Sequence, residues 1–208
     1  MTYIKTYKVD DNTRVKIVYD AYHTTPRSRD NLWKLCIREH RRYIFPNELD
    51  FDFDVSNDDY ITQMQELDKK YYMFDLDCYE HSSISFSLSW KGMQCKFDTS
   101  KWCWFIAIPK EYDWYNLDEW SESKHKKEKI QITKEEAERI ASGEIKTFNQ
   151  YLNGEVFAAI VEAKETRTNS KWETKEEREE QDSCWWYYDI EQAVADMVGK
   201  NIEELEEM

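Results

Sequence analysis

Two sets of carboxylates in this 208-residue chain have spacings that could support chemistry. Asp50, Asp52 and Asp54 alternate with Phe51, Phe53 and Val55. In an extended backbone this puts three acids on one side and three apolar groups on the other. Asp75 and Asp77 repeat the spacing, with His81 four residues further on. Oxygen-rich faces of this kind suit Mg²⁺ or Mn²⁺, which would activate water against a phosphodiester. Like charges on an exposed strand, however, repel by only about 1 kcal/mol in water at 4 Å, so they need no ligand to be tolerated. His23, His40, His81 and His125 are dispersed, without H-x-x-x-H or H-E-x-x-H. With four glycines, the chain has no glycine-rich phosphate loop. The expectation is a protein with no catalytic residue, metal site or cofactor, the alternative being a metal-dependent enzyme acting on nucleic acid or nucleotide through its Asp clusters.

Cys36, Cys78, Cys95, Cys103 and Cys184 form no C-x-x-C pair. An odd count without a secretory leader fits a reducing interior and buried thiols. Cys184 in particular lies in an apolar run beside two tryptophans, where a buried thiol is expected rather than a nucleophile.

The elements that must position these groups follow from periodicity. Tyr3 to Val9 and Thr13 to Tyr19 read as a hairpin across Asp10-Asp11-Asn12. Asp30 can cap a helix to about Arg42, and Asn57 one over Asp58 to Lys70. Tyr71 to Cys78, Ile84 to Trp90 and Trp102 to Ile108 read as strands, the last stopped by Pro109. Glu111 to Lys129 reads as a surface loop or short helix. Thr133-Lys134-Glu135-Glu136 is a capping box that opens a helix; Gly143 either ends that helix or only weakens it, since Ile145, Phe148, Tyr151 and Leu152 resume helical spacing, and Asn153-Gly154 signals a turn. Val156 to Ala163 and Ser183 to Tyr188 are paired strands, with a polar insert over 164–181, and Asp189 caps a last helix. The fold class is α+β, a mostly antiparallel sheet with packed helices. An N-terminal lobe over 1–70 is followed by an α+β domain over 71–208.

Charge distribution points towards interaction. The formal net charge is −14, from 43 Asp and Glu against 29 Lys and Arg. Residues 46–80 hold eleven acids and two lysines, and residues 173–208 thirteen acids and three cations. Residues 1–45 hold ten cations and five acids. Such a chain repels nucleic acid but suits a cationic channel, where carboxylates can stand in for phosphates. The candidate partner-binding residues are Asp50, Asp52, Asp54, Asp58 and Asp59 in the first acidic block. Glu173, Glu176, Glu177, Glu179 and Glu180 belong to the second. Trp114 and Trp120 would serve as aromatic anchors. No stretch approaches a membrane span, and a homodimer stays open.

Three segments carry a resemblance to known proteins: Trp104-Phe105-Ile106-Ala107-Ile108-Pro109-Lys110-Glu111, then Asn149-Gln150-Tyr151-Leu152-Asn153-Gly154-Glu155-Val156-Phe157, then Asp182-Ser183-Cys184-Trp185-Trp186-Tyr187-Tyr188. In this order they resemble a family of small tailed-bacteriophage proteins with Q-Y-L-x-G and D-S-C-W motifs, over about residues 70–195. Trp186 and Asp189 stand where that family usually has glycine, and the 164–181 insert is longer than usual. The family has no agreed catalytic residues, so none is carried over. The resemblance implies the cytoplasm of an infected bacterium and an accessory gene product. With the charge, it leads to a counter-defence protein that inhibits a host nuclease, either an RNA-guided CRISPR effector or a restriction enzyme. The remaining alternative is a phage structural or regulatory interaction protein.

Overall fold

The computed structural model describes residues 3–28, 33–37, 47–52, 56–81, 83–89, 95, 97–115, 127–168 and 174–208, with the backbone alone at 102–104, 114–115, 127–128, 167–168 and 174. The strands and helices in chain order are β1 (Tyr3–Lys8), β2 (Thr13–Tyr19), β3 (Lys34–Ile37), α1 (Asn57–Lys70), β4 (Tyr71–Glu80), β5 (Ile84–Leu88), β6 (Thr99–Pro109), β7 (Glu111–Tyr115), β8 (Lys127–Gln131), α2 (Lys134–Leu152), β9 (Phe157–Thr168), β10 (Thr174–Tyr187), α3 (Ile190–Val198) and β11 (Glu206–Glu207). The fold is α+β with antiparallel sheet predominant, as composition and alternation lead one to expect.

Contacts gather in two units, residues 1–26 with 150–208, and residues 27–149. In the first, the strands run β10-β9-β2-β1-β11, every neighbouring pair antiparallel. Val15, Ile17, Tyr7 and Ala159 form one apolar face, covered by Ala193 and Val194 of α3. Asp189 starts α3 as expected, its Oδ1 accepting from the amides of Glu191 (2.8 Å) and Gln192 (3.2 Å). At the end of α2, the Glu155 amide donates to the Gln150 carbonyl (2.8 Å) and the Gly154 amide to that of Tyr151 (3.0 Å). With Gly154 at φ 72° this is a Schellman cap: the helix continues through Gly143 to Leu152, and the turn at Asn153-Gly154 ends it.

In the second unit the order is β3-β6-β4-β5, beside a β7–β8 hairpin. Burial along β5 alternates strictly, Ile84, Phe86 and Leu88 inward. The Asn149 side chain bonds both the amide (2.7 Å) and the carbonyl (2.8 Å) of Phe86, tying α2 to that strand. The capping box holds: the Thr133 amide donates to Glu136 (2.8 Å), and the Glu136 amide to the Thr133 hydroxyl (3.2 Å).

Three local expectations are corrected. Residues 34–37 are strand, not helix: Lys34 to Ile37 pair with Ala107 to Trp104, and Leu35 and Cys36 are both buried. Pairing with β6 on one side and burial of Leu35 and Cys36 outweigh its helical spacing. The polar stretch after Pro109 is a hairpin, Glu111 to Tyr115 pairing with Gln131 to Lys127. Here cross-strand polar contacts replace apolar alternation, as where Glu111 accepts from Lys129 (2.7 Å) and Gln131 (2.8 Å). Finally, α1 is capped by Ser56, one residue before Asn57, with the Asp59 amide donating to Ser56 Oγ (3.4 Å).

Each unit holds an ionic cluster, with Arg27 buried in one and Glu162 half-buried in the other. In the second unit Arg27 forks onto Glu48, which also accepts from the Leu35 amide (3.1 Å), while its guanidinium carbon lies 3.6 Å from the Trp33 ring centroid. In the first, Glu162 accepts from Arg14 (2.8 Å) and Lys16 (2.5 Å). Burial pushes the Glu162 carboxyl up, but the bonds and charges of Lys16 and Arg14 outweigh it and leave it below its usual value of 4.5.

Glu48→Ala removes the carboxylate that Arg27 forks onto and is expected to cost about 3–5 kcal/mol, read as a urea midpoint lower by about 1 M or more. Glu162→Gln is expected to cost about 1.5–3 kcal/mol at pH 7. Because the folded-state value is depressed, the native pair contributes fully above pH 4.5 and loses its contribution as pH falls through the folded value. The gap between parent and variant in urea melts therefore narrows below pH 4.5; a gap constant down to pH 3 contradicts the assignment.

Candidate functional site

Strand β9 is longer than its inner neighbour. Its pairing with β2 runs from Tyr19↔Phe157 to Thr13↔Ala163 and stops there. Its pairing with β10 continues through Lys164↔Arg178 and Glu165↔Glu177 to Thr168↔Thr174. Five residues of each strand thus run on as a two-stranded ribbon, about 17 Å long at the usual rise. The polar insert is ordered hairpin for most of its length.

Pairing sets which side chains share a face. Glu176, Arg178 and Glu180 lie on one face with Thr166, Lys164 and Glu162, and Glu177 and Glu179 on the other with Glu165 and Ala163. Glu176 and Glu180 are exposed, while Glu177 and Glu179 are half-buried. Lys175 pairs with Glu177 (2.7 Å), and Arg178 reaches the Asn12 carbonyl (3.3 Å). Over 162–168 and 174–182 there are seven Asp or Glu and four Lys or Arg, a net of −3. The fold also sets basic segments against acidic ones: Lys5 pairs with Glu207 (2.9 Å), and β11 completes the sheet edge beside β1.

The first acidic block is arranged around α1 in the other unit. Asp50 and Asp52 are exposed beside buried Phe51, whose ring meets Phe105 (5.3 Å) and Tyr60 (5.6 Å). The inward and outward pattern is kept, although residues 50–52 are not strand. The Asp52 amide donates to Gln63 of α1 (3.1 Å). Asp58 and Asp59 occupy the first turn of α1, where the helix dipole favours them. Trp114 lies on β7, its backbone opposite Glu128. Asp54, Trp120 and Glu173 fall outside the described residues.

Asp75 and Asp77 do not form an open pair. Asp75 is exposed, whereas Asp77 is 1% exposed and accepts from Ser89 Oγ (2.9 Å). The pairing of β4 with β6 shifts register between Leu76 and Cys78. Among the described residues no three His, Cys, Asp or Glu side chains come together as metal ligands, and no helix is long and apolar enough to cross a membrane.

Near the far end of β10 lies a second feature, which the sequence reading missed. Asp20, Tyr22, Ser183, Cys184, Trp185 and Trp186 line a pocket of about 530 Å³. The β9–β10 register shifts between Cys184 and Tyr187, and at this bulge Trp186 has φ 72°. Cys184 is exposed, correcting the expectation of a buried thiol: Trp185, not Cys184, packs on buried Val18, Ala158 and Ile160. Of the two positions where the resembled phage family has glycine, only Trp186 is left-handed. Asp189 has φ −138°, extended backbone open to any residue.

Against protein-family models, curated proteins and solved structures, the chain matches none.

Proposed function

We propose that this protein binds a host nucleic-acid-processing protein, a CRISPR effector or restriction enzyme, and inhibits it through carboxylates that occupy a phosphate-binding cleft. The observation that carries the reading is the run from Glu176 to Glu180 on β10, with Glu176 and Glu177 on the ribbon beyond the sheet and Glu179 and Glu180 at its base, opposite Ala163 and Glu162. The net charge of −14 and the resemblance to phage-encoded proteins support it.

Magnitude narrows the mode of binding. Over about 17 Å a DNA duplex presents roughly ten negative charges, whereas residues 162–168 and 174–182 together carry a net of −3, and the projecting residues 164–168 and 174–178 hold three acids against four cations. The acidic run from Glu176 to Glu180 therefore suits a local basic groove rather than a whole duplex track. Glu176 on the ribbon and Glu180 at its base are exposed on one face, and Glu162, held by Arg14 and Lys16, is taken up within the sheet.

The test is DNA cleavage by purified host effectors with and without the protein. Inhibition is expected to weaken about tenfold or more in Glu176→Lys/Glu180→Lys, and to weaken as salt rises from 50 to 300 mM, because exposed charges are screened beyond about 10 Å at 0.1 M. Equal inhibition by the folded reversal variant, or inhibition indifferent to salt, removes the ribbon as the contact. Failure to inhibit any effector removes the function.

A further inference from the structure

We propose that the pocket beside the Trp186 bulge is a binding site for an organic cation, an alkylammonium or guanidinium group carried on an apolar body. This holds independently of what the ribbon binds.

The charge comes from Asp20. Its residue is 2% exposed, its Oδ1 accepts from the Tyr22 amide (2.9 Å), and its Oδ2 has no hydrogen-bond partner among the described residues. A carboxylate oxygen buried without a donor is costly, and because Asp20 lines the pocket its charge favours a cation bound there. The fold fixes this carboxylate at the end of β2, where the Asp20 amide donates to the Val156 carbonyl (2.8 Å).

The remaining lining selects the kind of cation. Tyr22, Trp185 and Trp186 bring three aromatic rings to one pocket, and ring faces attract ammonium and guanidinium groups. A hard metal ion would need six or more oxygens, against one carboxylate and the Ser183 hydroxyl among the lining side chains, apart from the Tyr22 phenol. An anion would meet Asp20. The volume of about 530 Å³ falls in the range of small-molecule sites and exceeds a bare ammonium, leaving room for an apolar body.

Backbone strain at the same place is the independent observation. Among the described residues Trp186 is the one non-glycine residue with positive φ. A glycine would adopt φ 72° without the Cβ clash, so a tryptophan there is retained against its backbone preference. It is 45% exposed, and Tyr22 is 84% exposed. Both residues line the pocket with much of their surface outside any core, where a ligand can meet them.

The experiment titrates the full chain by tryptophan fluorescence and calorimetry with choline and N-acetyl-arginine amide, each against its neutral isostere (3,3-dimethylbutanol and N-acetyl-citrulline amide). An arginine-bearing peptide forms a third arm. Saturable binding of at least one cation, about tenfold or more tighter than its isostere, is expected. It should be lost in Asp20→Asn and in Trp186→Gly, the latter with a melting temperature no lower than the parent's. Peptide binding about tenfold tighter than either small cation assigns the site to a partner's side chain, and equal affinity assigns it to a free amine. Equal binding of cation and isostere, no saturation by any cation or peptide, or unchanged affinity in Trp186→Gly overturns the proposal, even where Asp20→Asn fails to fold.

Discussion

The register of β2 on β9 is the constraint from which both surface features follow. Seven pairs, Thr13↔Ala163 to Tyr19↔Phe157, join segments about 150 positions apart in the chain. Val15 and Ile17 are fully buried in that pairing, so a one-residue slip would turn the apolar set to the opposite face. Where the pairing ends at Thr13, β9 and β10 continue alone as the ribbon. Where it ends at Tyr19, Asp20 is delivered beneath Trp185 and Trp186. The ribbon and the pocket are thus opposite ends of one alignment.

The same alignment redistributes charge. In the sequence the basic N-terminus and the acidic C-terminus look like separate blocks, but the fold makes them neighbours in one sheet. Lys5 meets Glu207, and Arg14 and Lys16 share Glu162. Partly desolvated pairs of this kind stabilise only when both partners keep their bonds, and Glu162 does, with a cation on each carboxylate oxygen. Net charge over a stretch of sequence is therefore a poor guide to net charge over a surface, since sheet pairing matches residues by register and not by block.

What could be read in advance was whatever a segment's own residues decide. The Thr133 capping box, the Asp189 cap and the alternation of β5 are patterns of this kind, and the apolar runs Val156 to Ala163 and Ser183 to Tyr188 mark themselves as strands that can pair. What was missed is decided by a partner segment. Leu35 and Cys36 take strand geometry because β6 lies beside them, and the polar Glu111 to Tyr115 because Lys127 to Gln131 does. The pocket was hidden for the same reason: Asp20 and Trp186 are more than 160 residues apart. One signal was available, the tryptophan standing at a glycine position of the resembled motif.

Edge protection alone does not account for β10. An edge strand is kept from pairing with other chains by charged side chains and bulges, and β10 has both, with register shifts after Glu180 and after Cys184. That reasoning covers Glu179 to Tyr187, where β10 flanks a sheet with a core to guard. It does not reach Thr174 to Arg178, which pair only with β9 and have no buried apolar residue among them. Ordering backbone costs about 1–2 kcal/mol per residue, and hydrogen bonds exposed to water return little of it. A ribbon extended past its own core spends stability that the fold does not recover. Contact with a partner is the physical return that would balance it.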